Sequence, residues 1–143
     1  MELLLHSNQP PEITQPLILA VDDDEDNLLL LTEVLKSLEC SFITATQGQT
    51  AINLAQDHQP CLIILDVMLP DFSGVEVVHQ LKHNPQTMTI PVIAVTALAR
   101  EEDREHLLLA GCDDYLSKPY MIDELEAIIQ RYLRSTHSLT ALV

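Results

Sequence analysis

From Pro16 onward, short apolar runs alternate with longer stretches of helical spacing. PLILAV, SFITA, CLIIL, IPVIAV and DYLS have strand length and are mostly aliphatic or β-branched. They predict strands over about 17–21, 41–45, 61–65, 91–95 and 114–117. Between and after them, helices are predicted over about 26–38, 48–57, 74–83, 99–110 and 121–134. Leu28, Leu31, Leu35 and Leu38 share one face of the first helix. Ile122, Leu125, Ile129, Tyr132 and Leu133 share one face of the last. The third and fourth runs are apolar throughout, as strands covered on both faces should be. Five such strand–helix units predict an α/β fold: a doubly wound, five-stranded parallel sheet with helices on both faces. Gly48, Gly74 and Gly111 fall at predicted helix ends, where glycine is expected. Residues 1–15, with Pro10 and Pro11 among polar neighbours, read as a loose arm. Residues 16–134 form one domain, and STHSLTALV at 135–143 is a tail without a pattern.

Composition narrows this further. A chain of 143 residues suits one core, and 47% hydrophobic content can build it. Aromatics are 3% and Trp is absent, so the core must be aliphatic. The net charge of −15 repels nucleic acid and anionic lipid, which argues against direct nucleic-acid binding. Cys40, Cys61 and Cys112 form no CxxC pair and read as reduced, mostly buried thiols of a cytoplasmic protein. MELLLHSNQPPE is too short in apolar residues and too acidic for a signal peptide. No apolar run approaches the roughly 20 residues that span a bilayer, so no membrane insertion is expected. Histidines 6, 58, 79, 83, 106 and 137 show no pairing or ligand spacing and are expected at the surface.

The chemistry lies where the strands stop. PLILAV ends at Asp22 and Asp23, CLIIL at Asp66, IPVIAV at Thr96, and DYLS at Lys118-Pro119. In a parallel sheet these ends share one edge, where ligands of open α/β sheets bind. Three carboxylates crowded there repel one another unless a divalent cation lies between them. An oxygen-only set suits Mg2+. One of Asp24, Glu25 and Asp26 is expected to cap the first helix.

LILAVDDDEDN, LIILDVMLPDFSG, PVIAVTALA and GCDDYLSKPY resemble, in order and spacing, the segments of a response-regulator receiver domain of the CheY-like, stand-alone type. The match covers about residues 16–134, and it rests on the set, since no one of these motifs is specific alone. The resemblance implies a flavodoxin-like (βα)5 fold with strand order 2-1-3-4-5. It implies that Asp66 is the phosphoryl acceptor and that Asp22 and Asp23 hold Mg2+, with Asp23 direct and Asp22 through water. It adds the backbone carbonyl of Met68 as a further metal ligand. Thr96 and Lys118 resemble the pair that grips the phosphoryl oxygens, and Ala97 is small, as that family prefers. Lys118-Pro119 matches the family's usual cis peptide, and Tyr115 its aromatic switch position. The expected function is a phosphorylation-controlled switch in a two-component system or phosphorelay. The donor would be a histidine kinase or phosphotransfer protein, and the output a change in binding to a downstream protein partner, since no effector domain is visible. The chain would assist its own phosphorylation and dephosphorylation without turning over a separate substrate, as a monomer or weak dimer.

Three rival readings are weaker. A metal-dependent phosphatase with a nucleophilic aspartate often has a second acid two residues on, where this chain has Met68. A flavin-binding module needs a phosphate loop rich in Ser, Thr and Gly after the first strand, where this chain has DDDEDN. A phosphate-independent scaffold would not need the complete set of Asp22, Asp23, Asp66, Thr96 and Lys118.

Overall fold

A computed structural model describes residues 15–97 and 100–142, the last eight by backbone alone. The expected arm at 1–15 therefore lies almost wholly outside the described residues. The elements are β1 (Leu17–Val21), α1 (Glu25–Ser37), β2 (Ser41–Ala45), α2 (Gly48–His58), β3 (Leu62–Asp66), α3 (Gly74–Lys82), β4 (Val92–Thr96), α4 (Glu101–Ala110), β5 (Asp114–Ser117) and α5 (Ile122–Leu142). All five strands are parallel, in the order β2-β1-β3-β4-β5.

Side-chain alternation splits the core in two. On one face Leu19, Ile63, Leu65, Val92 and Ala94 pack against Ile52 of α2, Val78 and Leu81 of α3 and Leu107 of α4. On the other, Ile18, Ala20, Leu62, Ile64 and Ile93 pack against Leu31 and Leu35 of α1 and Leu125 and Ile129 of α5. β3 and β4 are buried at every position, which is why their sequences do not alternate.

Most helix ends follow local chemistry. Asp24 caps α1, accepting from the N–H groups of Asp26 at 2.8 Å and Asn27 at 3.4 Å. Ser73 caps α3 through the Glu76 N–H. One boundary departs clearly from the periodicity. α5 continues to Leu142 where the apolar spacing predicts an end near 134, because no Gly or Pro interrupts the chain there. Ile122, expected on its buried face, is 41% exposed, and Ile128 is buried instead.

The histidine expectation also needs correcting. The four within the described side chains are exposed, but His79 and His83 are paired, their rings stacked at 4.0 Å. Their spacing of four residues puts them on adjacent turns of α3.

Candidate functional site

The reversal of strand order beside β1 opens a crevice at the carboxyl ends of β1 and β3. Asp22 follows β1 directly and Asp66 is the last residue of β3. Both are 5% exposed, whereas Asp23, one residue on, points to solvent. One carboxylate oxygen from each of the three lies within 4.8 Å of the others, the one such acid cluster among the described residues. Lys118, just past β5, reaches back into the cluster. Its ammonium stands 3.1 Å from Asp22 and 3.5 Å from Asp66. Three carboxylates against one ammonium leave a net charge of about −2 in a half-enclosed cleft, which fits a divalent cation held by oxygens.

Backbone groups hold the acids in place. Asp22 accepts from the Asp24 N–H at 2.9 Å, and Asp66 from the Met68 N–H at 3.0 Å. Burial pushes the Asp66 carboxyl up to about 6 against the pull of the Met68 N–H; the Asp22 charge adds to the rise and Lys118 opposes it. Burial disfavours charge on Lys118, but its hydrogen bond to Asp22 and the field of both carboxylates outweigh that and hold its pKa above the ordinary value.

Thr96 closes β4, fully buried, and its carbonyl accepts from the Lys118 N–H at 2.8 Å. The Lys118–Pro119 peptide is cis. Tyr115 lies on β5, half-buried, with the Arg104 guanidinium 4.7 Å from its ring centre. Thus Asp22, Asp23, Asp66 and Lys118 come together in one cluster. Tyr115 stands apart from it on β5. Met68 follows Asp66 on an exposed loop, its side chain 55% exposed.

A groove beside the cluster is lined by Asn27, Leu30, Ala97, Lys118, Pro119 and Tyr120. Leu29, Met68 and Met121 add exposed apolar surface to neighbouring elements. Sequence reading missed this groove. It also missed Arg104 over Tyr115, and Asp71, whose carboxylate caps α2 from another loop.

Residues 18–130 match the family model of the response regulator receiver domain. The chain belongs to that family. It is 37% identical over 116 residues to the polar-differentiation response regulator DivK of Brucella anthropi, covering 81% of this chain and 94% of the relative. Its fold matches the receiver domain of the sensor histidine kinase PA1611 from Pseudomonas aeruginosa PAO1, with a TM-score of 0.77, 32% identity, and coverage of 83% and 98% of the two chains. That structure has a magnesium ion coordinated in its active-site cleft. The chemotaxis regulator CheY4 of Vibrio cholerae aligns with a TM-score of 0.78 at 27% identity, over 83% of this chain and 99% of that one. Receivers of this family serve two-component signalling, take a phosphoryl group on an aspartate from kinases, and bind Mg2+ in an acidic active site. They are signalling proteins that act with kinases or phosphotransfer proteins and with downstream partners. No helix among the described residues of this receiver is long and apolar enough to cross a membrane.

Proposed function

We propose that this receiver accepts a phosphoryl group on Asp66 and signals through phosphorylation-dependent binding of a downstream protein in the cytoplasm. The observation that carries this is the Lys118 ammonium between Asp22 and Asp66, in a cleft that Asp23 completes.

Asp23, Asp66 and the Met68 carbonyl would hold Mg2+ directly, and Asp22 through water. The ion, when bound, supplies positive charge against the crowded carboxylates and the phosphoryl oxygens. An Asp66 carboxylate oxygen attacks phosphorus in line with the phosphohistidine nitrogen. The new O–P bond forms as the N–P bond breaks, and the imidazole leaves as a neutral ring once protonated. Lys118 donates a charge-assisted hydrogen bond to one phosphoryl oxygen. The Thr96 hydroxyl donates to another. Water later attacks the acyl phosphate and restores the carboxylate, so the chain assists its own reset. The groove of Asn27, Leu30, Pro119 and Tyr120 is where the donor protein would seat its phosphohistidine over the cleft.

The test is metal dependence. Acetyl phosphate should phosphorylate the chain with Mg2+ and fail in EDTA. Asp23→Ala should lose Mg2+ affinity more than Asp22→Ala, because only Asp23 is assigned a direct bond. Equal Mg2+ titrations for Asp23→Ala and the parent chain would contradict the assignment.

A further inference from the structure

The helix α2 begins without a cap of its own. Gln47 stands at the N-cap position with no side-chain hydrogen bond, and the first turn contains no acid. The orphan N–H groups are instead taken by Asp71, 23 residues away on the β3–α3 loop. Its Oδ1 accepts from the Gly48 N–H at 2.7 Å and its Oδ2 from the Gln49 N–H at 2.9 Å. Both carboxylate oxygens are used, and its charge faces the positive end of the helix dipole. The shortness of both contacts marks charge-assisted hydrogen bonds.

That loop is the one leaving Asp66. Its neck is closed by the Gly74 N–H donating to the Val67 carbonyl at 2.8 Å and by pairing of Met68 with Ser73. The neck admits nothing larger than glycine, since a Cβ on Gly74 would lie 2.3 Å from the Val67 Cα. Its far side is pressed on α2, where a Cβ on Gly48 would lie 3.1 Å from the Phe72 ring. The loop is therefore fixed at two places: the glycine neck and the Asp71 carboxylate. Met68 belongs to the neck, three residues before Asp71, and its N–H holds the Asp66 carboxylate.

We infer that Asp71 is a positioning residue for the acceptor site: by binding the N-terminus of α2 it fixes the loop that aims the Met68 carbonyl and N–H. The inference rests on the proposed role of Met68 at the metal. Outer partners of metal ligands act through orientation, and losing one weakens metal binding without removing a ligand.

Helix capping and loop positioning are separable here, because α2 can be given a cap of its own. The experiment titrates Mg2+ into the full chain by amide chemical shifts and measures thermal unfolding on the same samples. The chains are the parent, Asp71→Ala, Gln47→Asp and the double variant. Gln47→Asp supplies an N-cap acid of the usual kind. Asp71→Ala should bind Mg2+ roughly tenfold more weakly, at the lower end for lost outer partners, and melt earlier. The double variant should regain the melting temperature and keep the weak Mg2+ affinity. Gln47→Asp alone should bind as the parent does. Recovery of Mg2+ affinity in the double variant would reduce Asp71 to a helix cap and overturn the inference, as would parent-like affinity in Asp71→Ala. A parent chain without Mg2+ affinity overturns the metal site as well, whereas parent-like binding in Asp71→Ala overturns the positioning role alone.

Discussion

Asp66 is asked to be two things: a buried carboxyl and a nucleophile. Burial raises its pKa from an ordinary 3.8 to about 6. A raised folded-state pKa means that the folded chain binds more protons than the unfolded chain between those values. Stability from this group is therefore complete below about pH 4 and is lost as pH climbs through about 6. Asp66→Asn should remove that dependence. One pKa unit is worth about 1.4 kcal/mol, and solvent in the cleft reduces the yield, so the variant should gain roughly 1–2 kcal/mol on the parent between pH 4 and 7. Denaturant melts in EDTA at the two pH values read this directly. A constant difference would show that Asp66 is not strained by ionisation. Lys118→Ala should act oppositely on folding and metal. It leaves two buried carboxylates unpaired and so destabilises the metal-free chain. Mg2+ binding should hold or tighten, while labelling of Asp66 slows. Loss of Mg2+ affinity in Lys118→Ala would mean the ammonium organises the acids rather than competing with the ion.

Elements were the most legible scale. Four of the five strands stood out because the run ended at a charged or hydroxyl residue, and buried β3 and β4 had no polar face to confuse the reading. The charged site residues were legible for the same reason: Asp22, Asp66 and Lys118 each sit one step beyond or at the end of a run. What stayed hidden depends on contacts between distant segments. Nothing near Gly48 announces that Asp71 caps its helix, and nothing near Tyr115 announces Arg104 on its ring. A second hidden contact ties the opposite edge of the sheet. Lys82 of α3 donates to the Ile90 carbonyl at 2.7 Å and pairs with Asp113 at 2.9 Å, while Asp113 accepts from the Val92 N–H at 2.8 Å. Gly111, in the left-handed region at φ +112°, lets the chain pass this lysine; a Cβ there would lie 2.9 Å from its Cγ. Lys82→Met should lower stability by roughly 2 kcal/mol, the scale of charged hydrogen bonds. It should leave Mg2+ titrations unchanged, because the clamp joins strand starts and the site lies at strand ends. A shifted Mg2+ affinity would reveal coupling across the sheet.

For the whole molecule, the question is how a charge added at one edge reaches a surface a partner reads. Phosphorylation adds about −1.5 to −2 charges. In this account the Thr96 hydroxyl turns toward the new oxygens, and Tyr115 moves inward behind β4. That motion takes Tyr115 away from the Arg104 guanidinium, so α4 and β5 change their shared surface together. Shifting such an equilibrium from 1:99 to 99:1 takes roughly 5.5 kcal/mol. A few charge-assisted hydrogen bonds at about 1.5–3 kcal/mol each supply that. Beryllofluoride, an acyl-phosphate mimic, should therefore shift amides across residues 100–118 as well as those around Asp66. Shifts confined to the cleft would contradict the relay. The net charge of −15 bears on what reads the surface, since it favours a protein over a nucleic acid.

The central claim is that Asp66 itself carries the phosphoryl group, and the most direct measurement is the mass of the intact chain after acetyl phosphate and Mg2+. The account predicts one added phosphate on the parent, mapped to Asp66, and none on Asp66→Asn. Stoichiometric, persistent labelling of Asp66→Asn would contradict it.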